Sequence, residues 1–99
     1  LLTDYIKVQV QKAMEDYDLA LKQNEVYSQA VEQSSENYRI VNDKYENGLS
    51  DTNDLLEADL DQLSSKINKA LARANIIQKY YELLSVTGQL SQTFNLSKI

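Results

Sequence analysis

"KYENGLSDTNDLLEA", residues 44–58, decides the fold. Gly48 is one of only two glycines in a chain with no proline, so the sequence on either side has little to interrupt a helix. Asn47-Gly48 suits a helix end, because glycine enters the left-handed conformation at low cost. Ser50, Asp51 and Thr52 are all good N-caps for a following helix. Asp51, Asp54 and Glu57 then fall near the positive end of its dipole. The connection is short, and short links between helices join antiparallel neighbours.

Outward from this turn, both arms carry a heptad signal. On the first arm the stripe is Ile6, Val10, Ala13, Tyr17, Ala20, Asn24, Tyr27, Val31, Ser34, Tyr38, Val41 and Tyr45, broken by Asn24 and Ser34 alone. On the second it is Leu56, Leu60, Leu63, Ile67, Ala70, Ala74, Ile77, Tyr81 and Leu84, with Gly88 on the next position. Alternating steps of four and three mark helices that pack lengthwise. The expected fold is all-α: a long, coiled-coil-like antiparallel helical hairpin. One unit spans 1–99, with helices over about 2–47 and 52–87, a tip at 48–51 and a fraying tail at 88–99. The two leucine, alanine and tyrosine stripes are expected to face each other. Apolar residues off those stripes, such as Leu19, Ile40, Leu71 and Leu83, require a further surface, so self-association or covering helices are expected.

Composition narrows the function. The chain has 99 residues, no cysteine and no histidine, which removes disulfides, the common transition-metal ligands and the usual general base. No enzyme, metal site or cofactor is expected. A net charge of -5 lacks the basic footprint of a nucleic-acid binder. No apolar run is long enough for a transmembrane helix, and no signal peptide is visible. The chain opens "LLTDYIKVQV", without methionine, and reads as part of something longer.

Polar residues sort by face on the second helix. One flank carries Asp54, Glu57, Asp61, Ser64, Asn68, Ala72 and Asn75; the other carries Asp59, Gln62, Lys66, Lys69 and Arg73. The first flank has two readings, a solvated face whose acids complement the dipole or a surface lining water. "NGLS" lacks the glycines and lysine of a phosphate loop. Asp54 and Glu57 on one helix face offer calcium too few oxygens. Tyr80-Tyr81 reads as helix-seam packing rather than as a stacking platform.

The stretch from Asn37 to Leu90 resembles the second helical hairpin of the TolC-like outer membrane efflux proteins. The shared pattern is Tyr45 with Gly48 at the tip, then Asp54, Leu56, Glu57 and Ala58, then Ala70, Ala74, Tyr81, Leu84, Gly88 and Leu90. The resemblance implies a homotrimeric parent with an outer membrane β-barrel and an α-helical periplasmic tunnel. This chain would then be tunnel wall, touching the membrane only through parts outside it. It implies partners too: further copies of the chain, a periplasmic adaptor and, through that, an inner-membrane pump. Gly48, Leu49 and Ser50 would meet the adaptor. Asp54 and Glu57 would be entrance acids facing the lumen, where three copies concentrate negative charge and attract cations. Tyr45 and Ser50 would belong to the polar network of the gate. Ser50 stands where the best-described gates have an arginine, so closure here would rest on hydrogen bonds or packing. The alternatives are a hairpin of the periplasmic adaptor itself, and a generic helical scaffold.

Overall fold

The computed structural model describes the backbone of residues 1–97 and the side chains of residues 1–92 and 95. The fold is all-α, and two long helices form a hairpin: α1 spans Leu2–Glu46 and α2 spans Thr52–Ser97. Among the described residues no helix is long and apolar enough to cross a membrane.

The turn between them is built from local hydrogen bonds. Gly48 holds φ at 72°, the only positive φ among the described residues. Its N–H donates to the Tyr45 carbonyl at 3.1 Å, and the Leu49 N–H donates to the Lys44 carbonyl at 2.7 Å. Those two bonds form the Schellman motif, which satisfies carbonyls that the helix end would leave bare. Asn47 adds a third, its Nδ2 donating to the Asp43 carbonyl at 2.8 Å. Of the three candidate N-caps, Asp51 takes the role: its Oδ1 accepts from the Asp54 N–H at 2.9 Å.

Packing groups the residues into two compact units. The first joins residues 1–22 to the part of α2 from Ala74 onward; the second is the closed end, Gln23–Arg73. In the first unit Ile6, Ala13 and Ala20 are buried, with Val10 and Tyr17 half-buried beside them. Facing them, Ile76, Lys79, Leu83, Val86 and Leu90 are half-buried. The Tyr17 and Tyr80 rings lie 6.1 Å apart across this pair of segments. In the second unit Asn24, Val31, Ser34, Tyr38 and Val41 are half-buried on α1. Ala58 and Ala72 are buried on α2, with Leu55, Gln62 and Ser65 between and beside them half-buried. Gln62 Nε2 donates to Ser35 Oγ at 3.0 Å and sets the register of this unit.

The α1 stripe is therefore largely the expected one, with Ser28 turned inward where Tyr27 was expected and Tyr45 left exposed. The α2 stripe is not. Leu56, Leu60, Leu63, Ile67, Ile77, Tyr81 and Leu84 are all exposed, Leu60 at 62% and Tyr81 at 65%. α2 meets α1 through a second heptad-compatible edge that contains Ala58, Ser65 and Ala72. At about 100° per residue, Ala58 and Leu60 lie about 160° apart around the helix. The reason is steric fit. In the closed end the seam side of α1 is bulky where Tyr38 sits, and the small residues of α2 in the same unit leave room for that ring.

Gly88 also departs from expectation, since α2 runs through it to Ser97 rather than ending at 87. Gly88 belongs to the exposed edge, while Val86 and Leu90 continue the seam on either side of it. An interior glycine costs a helix about 1 kcal/mol relative to alanine, and continued packing offsets that. Residues 98 and 99 of the expected tail lie outside the described residues.

Candidate functional site at the hairpin tip

The closed end presents Leu49 as its most exposed large apolar side chain, at 77%. That follows from the turn: in the Schellman geometry the residue after the left-handed glycine leaves the helix axis, and no described contact covers it. Gly48 is open too. A Cβ built there meets nothing within 4 Å, so the positive φ, and not crowding within the chain, is what requires glycine. Ser50 is half-buried behind Leu49.

Just below the tip, one side of the hairpin forms a groove lined by Asn37, Val41 and Lys44 of α1, Ser50 of the turn, and Asp54, Glu57, Ala58 and Asp61 of α2. Asp54, Glu57 and Asp61 follow the i, i+3, i+7 spacing of one helix face, which brings three carboxylates to one wall. None of them is in an ion pair among the described residues. No group of three or more acids, cysteines or histidines is placed to hold a metal ion among the described residues. The groove is thus an open acidic surface with Lys44 at its edge.

The expected site residues divide accordingly. Asp54, Glu57 and Ser50 come together in this groove. Gly48 and Leu49 form the apex. Tyr45 stands apart, 40% exposed, and shares no hydrogen bond with Ser50. The third carboxylate, Asp61, is a groove residue that the pattern of entrance acids does not include, though its helical spacing from Asp54 and Glu57 carries the signal. A second groove in the same unit is basic, lined by Val31 of α1 and by Lys66, Lys69, Ala70 and Arg73 of α2.

One perturbed pair lies farther up α1. The Arg39 guanidinium donates to Glu36, with Nη2 and Oε1 at 2.6 Å, and that hydrogen bond, reinforced by its charge, holds the Glu36 carboxyl below its ordinary value. Both side chains are exposed, so the pair braces α1 locally.

Neither a curated protein nor a solved structure matches the chain. A family model described as outer membrane efflux protein matches residues 6–89, which takes in the turn, the acidic groove and most of both helices. Its members are channels rather than enzymes. With the hairpin, its glycine turn and that match in hand, the chain belongs to the outer membrane efflux protein family.

Proposed function

We propose that the chain is a tunnel-wall hairpin in the periplasmic portion of a trimeric outer membrane export channel. Its tip contributes to the entrance and docks a periplasmic adaptor, which couples the channel to an inner-membrane pump. The observation that supports this most is the double edge of α2. In each unit one edge packs on α1 and the opposite edge is apolar and open: Leu56, Leu60, Leu63 and Ile67 in the closed end, Ile77, Tyr81 and Leu84 in the other. A helix at the surface of an ordinary bundle has one apolar stripe. A helix within a wall needs two, because it has a neighbour on each side.

The two faces between those edges would then be the lumen and the outside. Asp54, Glu57 and Asp61 suit the lumen, where three copies around an axis would focus a negative potential on passing cations. Leu49 and Gly48 suit the adaptor contact. The leucine offers exposed apolar area, and the bare glycine admits a close backbone approach. Tyr45 and Ser50, unbonded to each other within the chain, are free to bond across subunits in a closed gate.

The wall reading is tested in the full-length channel by the pair Leu63→Lys and Ile67→Lys. Both side chains point away from α1, so the hairpin should form while trimers on native gels are lost. Trimers that survive both substitutions would remove the wall reading.

A further inference from the structure

We infer that Lys44 is a tethered counter-ion of the acidic groove: its ammonium offsets Asp54 and Glu57 and so sets how strongly the channel entrance holds a passing divalent cation. The inference rests on the lumen reading of those acids and adds to it a cation that the chain itself supplies.

Three observations carry it. The first is place. Lys44 lines the same groove as Asp54, Glu57 and Asp61, from the α1 wall. Its backbone is held there by the turn, since its carbonyl accepts the Leu49 N–H at 2.7 Å. The second is availability. Lys22 and Arg39 of α1 are taken up by acids three or four residues away on their own helix. Lys44 has Ile40, Val41, Asn47 and Gly48 at those spacings, so no carboxylate of α1 competes for it as a helical neighbour. It forms no ion pair among the described residues, and its flexible four-carbon stem lets the ammonium follow the local field. The third is level. The Gln62–Ser35 hydrogen bond fixes the register of the two helices in this unit. Counted on from those partners toward the turn, Lys44 falls level with Asn53. At about 1.5 Å per residue, Asp54 is then one step away along the axis, Glu57 about 6 Å away and Asp61 about 12 Å away. A lysine stem spans the first two levels and not the third. The groove therefore sets one movable positive charge against two carboxylates near the tip and leaves Asp61 uncompensated deeper in. The dipole of α1 also favours a cation in its last turn. That preference is local to the helix end and has no bearing on ions in the groove.

The test is magnesium block of the full-length channel in a planar bilayer, with magnesium chloride as the probe. Lys44→Gln should tighten block about threefold to tenfold, and Lys44→Glu further, while trimers on native gels persist. Lys44→Arg should keep the parent value, because it keeps the charge. With Asp54 and Glu57 both replaced by alanine, Lys44→Gln should lose most of its effect, because the acids it offsets are gone. Failure of the inference and failure of the lumen reading are distinguishable. If the alanine pair weakens block while Lys44→Gln leaves it unchanged, Lys44 does not act on the groove and the inference falls alone. If the alanine pair leaves block unchanged, the lumen reading falls and carries the inference with it. A Lys44→Gln effect that persists undiminished without the two acids would also overturn the inference, since Lys44 would then act elsewhere.

Discussion

Gly48 is the residue on which the turn depends, and its two expected roles separate by substitution. Gly48→Ala adds a Cβ that meets nothing, but places it on a left-handed backbone, at a cost of about 1–2 kcal/mol. Asparagine tolerates that backbone better, so urea denaturation should rank glycine, asparagine and alanine in falling order of stability. Gly48→Trp in the full-length channel should cut adaptor crosslinking and export while trimers persist. Export that survives would remove the docking role. For Asp54 and Glu57 the expected outcome of joint replacement by alanine is a weaker cation preference and weaker divalent block in a planar bilayer. Unchanged conductance would leave them as dipole partners near the start of α2, worth a few tenths of a kcal/mol each. Glu36 gives a pH dependence whose sign is set by its lowered carboxyl. The stabilisation is present above the unfolded pKa and lost as pH falls through the folded one. In an NMR titration Arg39→Ala should move the Glu36 midpoint upward; an unmoved midpoint would dissolve the pair.

The two helices differ in how readable they were. α1 has one good seam, and Ile6, Ala13, Ala20, Val31 and Tyr38 sit on it as their spacing indicates. α2 has two edges of heptad spacing. Hydrophobicity points to the leucine edge, whereas the fold places the alanine edge inward. Periodicity alone cannot choose between them, since both repeat every seven residues; the choice is made by volume, against Tyr38 of α1 in the closed end. That gives an unequal pair of expectations. Ala58→Leu overfills a position only 2% exposed and should cost about 1–3 kcal/mol. Asn24 works the other way. Its Oδ1 is buried without a hydrogen-bond partner, so Asn24→Leu should raise thermal stability while loosening control of register. A fall in melting temperature with Asn24→Leu would show that the amide is satisfied. The end of α2 was misread for a related reason: Gly88 looked like a stop on the leucine edge, but it is off the edge that packs.

At the scale of the molecule, the described core is thin. Its buried side chains are Ile6 and four alanines, while some twenty large apolar side chains remain exposed. The hairpin and its turn were legible because they depend on local chemistry, a left-handed glycine and an N-cap; the three carboxylates were legible as one helix flank by their spacing, while the groove they share with α1 was not. What covers the open edge was not, because it belongs to other helices. On the proposed wall reading those side chains are covered by neighbouring helices; the family match gives an outer membrane efflux protein.

The most direct measurement is thiol crosslinking with a short bifunctional reagent in the cysteine-free background. Ser35→Cys with Gln62→Cys should link within one chain, because Gln62 Nε2 reaches Ser35 Oγ at 3.0 Å and the reagent spans the length that cysteine at 62 lacks. Tyr38→Cys with Leu60→Cys should not, because Leu60 faces away from α1. Ready linkage of Tyr38→Cys to Leu60→Cys, with none between Ser35→Cys and Gln62→Cys, would mean that the leucine edge closes the hairpin and that α2 has no second face to offer a neighbour.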